Sequence, residues 1–304
     1  MFTVMPTSVT INEVGPRDGF QNVATFIPTS DKIAIIEQLI DAGLKDFELT
    51  SFVSPKAIPQ LADSAEVCRV ILEKYGSAIN ASALVPNLKG AQSAWEAGIR
   101  EIACVISVST SHNKANINRT HEESLAELAK IVESMPGMKV RVDLATAFAC
   151  PFEGWTPVEA VTLLTEKVVQ LGIQKIVLAD TIGVATPDRV FQLSADIKKA
   201  FPAIDFSLHI HDTRGMGLVN TLSGLMAGIT TFETSIAGLG GCPFAPGAAG
   251  NTATEDMVNM LAGMNIKTGV DLAKLIAVVG LVSEKIDSKT NSHMSQSKLY
   301  DSLK

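Results

Sequence analysis

The sequence predicts a (β/α)8 TIM barrel with an extra C-terminal helix, and three observations carry the prediction. Short β-branched, apolar runs alternate with longer amphipathic segments through most of the 304 residues, the pattern of a parallel sheet with crossover helices. Eight such units can be read, which suits one closed barrel of roughly 250 residues with additions better than an open doubly wound sheet. No GxGxxG opens the first helical segment, so a dinucleotide-binding fold finds no support.

The strands are expected at 9–14 (VTINEV), 46–52 (DFELTSF), 80–85 (NASALV), 101–108 (EIACVISV), 139–147 (KVRVDLATA), 175–180 (KIVLAD), 206–211 (FSLHIH) and 231–237 (TFETSIA). Between the first two, residues 30–43 place Ile33, Ile36, Leu39 and Ile40 on one stripe, with Thr29 or Ser30 as N-cap and Gly43 as the stop. Residues 156–172 read likewise, with Thr156 as cap, Pro157 in the first turn and Gly172 just past the end. The barrel should span about 8–265. An extension over about 268–304 should hold one more helix at 270–286 and a loose polar tail. Together they form one catalytic domain, since no linker or repeat divides the chain.

Composition limits the function classes. Hydrophobic residues make up 46% of the chain, enough for a sizeable core. A formal charge of −7 argues against a nucleic-acid binder, while leaving room for an anionic small molecule held by a few local cations. Cys68, Cys104, Cys150 and Cys242 show neither metal-knuckle spacing nor disulfide density, which suits a reducing cytosol. The first residues, MFTVMPTSVTI, lack a signal-peptide pattern, and no apolar run approaches the ~20 residues needed to span a bilayer. A cytoplasmic protein with no membrane partner is the expectation.

Reactive groups of such a barrel sit at the C-terminal ends of its strands. There the sequence places Arg17 and Asp18 after the first strand, Glu48 and Thr50 on the second, Asp180 at the end of the sixth, and His209 and His211 on the seventh. Residues i and i+2 of a strand project to the same side, so the two imidazoles point together, with Asp18 as the expected carboxylate. Asp212 alternates away from them. Such a mixed N/O set, with no thiolate pair, favours Mg²⁺ or Mn²⁺ over structural zinc. The segment AGLGGCPFAPGAAGN, rich in Gly and Pro, reads as a loop that closes on the site. At its centre Cys242 is suited to acid–base or nucleophilic work, and at its end Asn251 can offer a carbonyl oxygen to a metal.

EVGPRDGFQN, ELTSFVSPKAIPQLAD, ADTIGVATP, HIHDTRG and AGLGGCPFAPGAAGNTATEDMV together resemble the 3-hydroxy-3-methylglutaryl-CoA lyases of the DRE-TIM metallolyases, from about Glu13 to Gly269. The cysteine-bearing glycine loop is the most specific of these stretches. The resemblance implies a metal held by Asp18, His209, His211 and Asn251, with Arg17, Glu48, Asp180 and Cys242 as the catalytic set. It implies a retro-Claisen cleavage of an acyl-CoA substrate to acetyl-CoA and a keto acid, placed in leucine or related catabolism, and a homodimer.

Two departures from the family pattern bear on the substrate. Val23 stands where the family usually carries Glu, and TRGMG after the histidines supplies Arg214, a candidate for pairing with a substrate carboxylate or CoA phosphate. Citramalyl-CoA or another 3-hydroxyacyl-CoA is therefore an alternative substrate. A Claisen-condensing synthase would share the Arg-Asp pair and the His-x-His but typically lacks the Cys loop and carries extra C-terminal domains. A non-catalytic CoA-ester binder would have no use for a thiol acid.

Overall fold

The computed structural model describes residues 5–241 and 250–297. Its barrel strands are β1 (Thr10–Glu13), β2 (Asp46–Ser51), β3 (Asn80–Leu84), β4 (Glu101–Ser107) and β5 (Lys139–Ala145), then β8 (Lys175–Asp180), β9 (Asp205–Ile210) and β10 (Thr231–Thr234). The two intervening strands, β6 (Ala149–Cys150) and β7 (Gly154–Trp155), form a small antiparallel hairpin outside the barrel. All eight parallel strands fall where the apolar runs predicted, and the ring closes through β1, which pairs with β10 from Thr10↔Thr231 to Glu13↔Thr234 and with β2 at Asn12↔Asp46.

The helices are α1 (Thr29–Asp41), α2 (Ser64–Tyr75), α3 (Leu88–Glu96), α4 (Thr110–Ile117), α5 (His121–Ser134), α6 (Val158–Gln170), α7 (Pro187–Ala200), α8 (Gly217–Met226), α9 (Thr254–Gly263) and α10 (Leu272–Lys285). Their inner faces repeat at three- and four-residue spacing: Ile35, Ile36 and Leu39 on α1, Val161, Leu164 and Val168 on α6, Val190, Leu193 and Ile197 on α7. Each such side chain, fully buried, contributes roughly 1.5–3 kcal/mol to folding. Among the described residues no helix is long and apolar enough to cross a membrane.

Three local expectations need correction. Neither Thr29 nor Thr156 caps its helix: the N-cap positions belong to Pro28 and Pro157. The Thr29 hydroxyl donates to Asp63 and the Thr156 hydroxyl to the Thr146 carbonyl instead. Gly43 and Gly172 do end their helices, at φ +103° and +83°. The polar tail is not loose where it is described. Asp256 accepts the backbone N–H groups of His293 and Met294, and the Asn291 N–H reaches the Ala237 carbonyl at 3.0 Å.

The barrel interior is polar where layers of branched aliphatics are usual. Arg141 on β5 reaches Glu48 on β2 and Glu233 on β10. These three strands are not neighbours in the ring, so their side chains meet across its interior.

Candidate active site

Arg17 and Asp18 are presented by one turn of π-helix, Gly15–Gly19, immediately beyond β1. The Val14 carbonyl accepts from the N–H groups of Arg17, Asp18 and Gly19, the wide-turn geometry that recurs at functional sites. Gly19 is required there by space, since a Cβ would lie 2.9 Å from Leu239 Cβ and Ser235 Oγ. His209 lies in β9 and His211 one residue past its end, with ring centroids 5.0 Å apart. Asn251 is brought alongside by an antiparallel bridge to His211, flanked by bonds from the Asp212 N–H to the Gly250 carbonyl and from the Thr252 N–H to the Ile210 carbonyl. The far end of the glycine-rich segment is thus stitched to the end of β9.

Asp18, His209 and His211 each offer a ligating atom within 4.8 Å of the others, and all three are buried. His211 Nε2 stands 4.0 Å from Asp18 Oδ2. The Asn251 amide nitrogen donates to Asp18 Oδ2 at 2.7 Å and to the Leu239 carbonyl at 3.1 Å, while its Oδ1 is buried with no hydrogen-bond partner among the described residues. A buried acceptor left without a donor is costly. With two imidazoles and a carboxylate converging beside it, this donor set fits a divalent cation of the Mg²⁺ or Mn²⁺ kind.

The charges are arranged for that purpose. Burial alone would raise the Asp18 pKa, but Arg17 and the two histidines bring it down to about 2, so the group is a carboxylate. Burial, reinforced by His209, takes His211 down to about 4, which keeps it a neutral ring with a lone pair to give. His209 runs the other way: burial would lower its pKa, and the Glu233 carboxylate overcomes this and raises it. Its Nδ1 donates to Glu233 Oε2 at 2.9 Å, which fixes the tautomer and turns Nε2 toward the cluster.

A cavity of about 870 Å³ opens on this group, lined by Arg17, Asp18, His209, His211 and Gly241 and extending past Val23 and Phe26 toward Asn116 and Arg119. Arg17 bonds both Asp18 and Glu48, and its side chain is 9% exposed. Glu48 is fully buried and among the described residues reaches the site through Arg17 and Arg141, so it positions those side chains.

Asp180 is fully buried, and its carboxylate accepts the N–H groups of Val184 (3.2 Å) and Ala185 (2.9 Å). Burial raises its pKa to about 6 against those bonds. Its neighbours Ala179 and Thr181 line the cavity, and Asp180 itself does not. Arg214 is exposed on the turn after β9 and is brought neither to the ligand group nor to the cavity wall. Asp212 does point away, accepting the Gly217 N–H at 2.6 Å. Cys242 lies outside the described residues.

The sequence reading missed Arg141, Asp143 and Glu233. Their signal was present: KVRVDLA and TFET are apolar strands with charged residues at inward-alternating positions, and a mid-strand charge in a barrel has to find a partner inside it.

The C-terminal rim of this barrel gathers Asp18, His209 and His211 at one cavity, with Asn251 bonded to Asp18 beside them, a candidate divalent-metal site where barrel enzymes carry their active sites. The HMGL-like family matches residues 8–282, and the chain belongs to that family. A hydroxymethylglutaryl-CoA lyase of Bacillus subtilis is 45% identical over 283 residues, covering 92% of this chain and 94% of its own. The mitochondrial hydroxymethylglutaryl-CoA lyase of Bos taurus is 42% identical over 293 residues, covering 96% and 90%. Among solved structures, an HMG-CoA lyase from Acinetobacter baumannii in complex with coenzyme A and 3-methylmalate superposes with a TM-score of 0.93 at 40% identity, over 99% of each chain.

Proposed function

We propose that this chain is a divalent-metal-dependent carbon–carbon lyase that cleaves 3-hydroxy-3-methylglutaryl-CoA to acetyl-CoA and acetoacetate. The observation that carries the reading is the convergence of Asp18, His209 and His211 beside the Arg17 guanidinium in one cavity. Relatives at 42–45% identity that bear the name of this activity support it.

Asp18, His209, His211 and Asn251 would hold Mg²⁺ or Mn²⁺, which when bound acidifies the tertiary hydroxyl of the substrate and polarises the oxygen beside it. Asp180, its pKa raised to about 6 by burial, takes the hydroxyl proton. Since it lies behind Ala179 and Thr181 and not on the cavity wall, its carboxylate must turn into the cavity when substrate binds, giving up a bond to Val184 or Ala185. The bond between the hydroxyl-bearing carbon and the thioester α-carbon then breaks, leaving a ketone and a thioester enolate. Arg17, charged at every working pH and braced by Glu48, stabilises the enolate oxygen as it forms. Cys242 returns a proton to the α-carbon, which completes acetyl-CoA.

Val23 lines the cavity where the family resemblance implies an acid. With an apolar side chain in place of that acid the cavity wall differs from the family's, and in a second reading citramalyl-CoA or a related 3-hydroxyacyl-CoA is also cleaved. The same proposal takes residues of about 8–265 as the barrel and 268–304 as its extension, one catalytic domain acting in the cytoplasm as a homodimer. The test is acetyl-CoA release from the purified, Mg²⁺- or Mn²⁺-saturated protein given each ester in turn. Release from 3-hydroxy-3-methylglutaryl-CoA is expected; release from neither, at full metal occupancy, overturns the lyase reading.

A further inference from the structure

Two buried glutamates divide their oxygens between the active site and one arginine. Glu48 accepts from Nε of Arg17 at Oε1 and from Nη2 of Arg141 at Oε2. Glu233 accepts from Nδ1 of His209 at Oε2 (2.9 Å), and its Oε1 is ion-paired with the same Nη2 of Arg141 at 3.0 Å. Arg141 is further anchored by Nε to Asp143 Oδ1 at 2.9 Å, and its side chain is only 7% exposed. A continuous chain Arg17–Glu48–Arg141–Glu233–His209 therefore crosses the barrel interior, with Arg141 at its centre.

We propose that Arg141 is a positioning residue of the site. By holding both glutamates it sets the place of Arg17 and the orientation of His209 together, so that metal affinity and catalysis depend on the same guanidinium. The inference rests on the reading of His209 as a metal ligand. A planar guanidinium can hold three carboxylates in fixed directions, whereas the compact ammonium of lysine cannot span them. Without it, among the described residues Glu233 Oε1 keeps only the neutral Asn12 amide, which donates to it at 2.9 Å, and Glu48 keeps only Arg17. The charge that holds both carboxylates in place is then lost, and the imidazole tautomer that presents Nε2 is less firmly supported.

A second cavity makes the idea testable. About 330 Å³ in volume, it lies at the opposite end of the barrel, lined by the first residues of the strands, among them Asp46, Asn80 and Lys175, and its inner wall is formed by Arg141 and Glu233. Small cations can enter from there without passing the substrate cavity.

The experiment measures Mn²⁺ binding to substrate-free protein, then kcat and KM, for wild type, Arg141→Ala and Arg141→Lys, with and without millimolar guanidinium or ammonium. Arg141→Ala should bind Mn²⁺ at least about tenfold more weakly and lose kcat far more than KM rises. Guanidinium should restore both properties together and ammonium neither, and Arg141→Lys should resemble the alanine variant. Wild-type Mn²⁺ affinity in either folded variant overturns the proposal, as does equal rescue by ammonium. Should Arg141→Ala fail to fold, Arg141→Lys, which keeps a buried positive charge, decides on the same readout. A wild-type protein that binds Mn²⁺ yet cleaves neither ester removes the lyase reading and leaves the Mn²⁺ comparison intact.

Discussion

Nδ1 of His209 donates to Oε2 of Glu233 across 2.9 Å, in a pocket where both groups are buried. The pair settles which ring nitrogen is left to ligate a metal, and it works because the carboxylate stays ionised. Burial opposes that ionisation, yet Arg141 first and the His209 bond second hold the Glu233 pKa down at about 2. Glu233→Gln keeps the shape and an acceptor oxygen but removes the charge. Outer partners of ligating histidines are worth about 10- to 100-fold in metal affinity, so the variant should bind Mn²⁺ about tenfold more weakly in an equilibrium titration. Unchanged affinity would mean that the imidazole needs no such partner.

In the proposed mechanism Cys242 is the acid that protonates the α-carbon, and positioned proton transfer is typically worth about 10²- to 10⁴-fold. Cys242→Ser should therefore lose about a hundredfold or more in turnover, while Mn²⁺ binding and the Kd for a non-cleavable CoA thioester stay at wild-type values. A serine variant with the wild-type rate would take the thiol out of the reaction.

The eight barrel strands were legible because each is a short apolar run between turn signals, and burial of both faces makes that signal strong. The pairing of His209 with His211 followed from strand alternation alone. Two kinds of feature were hidden. The β6–β7 hairpin is two residues on each side, too short to leave a period in the sequence. The Arg141–Glu48–Glu233 network depends on which strands face one another across the ring, and long-range register of that kind is written in no local window. Arg214 shows the reverse case: three residues past His211 it is near the ligand pair in sequence, yet the turn at 212–215 carries it out to solvent.

Gly240 supports the ligand group from behind. Its φ of +130° lies where side chains are strained, and a Cβ there would sit 2.5 Å from Asn251 Nδ2. Gly240→Ala should push the amide away from Asp18 and weaken Mn²⁺ binding about tenfold, an effect of the size that outer partners of ligands produce. The melting midpoint should shift by only a few degrees, since a strain of about 1–3 kcal/mol is small beside the unfolding entropy of a chain this long. Wild-type metal affinity in calorimetric titration would show that Asn251 has room to move.

Glu13 gives the fold a pH dependence of defined sign. The side chain is wholly buried at the end of β1, where it accepts the N–H groups of Gly15 and Ile236 and the hydroxyl of Thr254. Burial raises its pKa from 4.5 to about 7, against those hydrogen bonds and with some help from nearby Glu255. Between those two values the folded chain binds more protons here than the unfolded one. The contribution is therefore fully present below about pH 4.5 and is lost as pH rises through 7, with a ceiling of roughly 3 kcal/mol. Asp18 and Glu233, at about 2, titrate below this window. Asp143, Asp180 and Glu255, at about 6 to 7, share it, so the slope of the wild type alone does not isolate one group. The difference between wild type and Glu13→Gln does. In urea unfolding at pH 5 and pH 8, the variant should lose less stability across that interval than the wild type, by up to roughly 3 kcal/mol; parallel losses would place the titrating groups elsewhere.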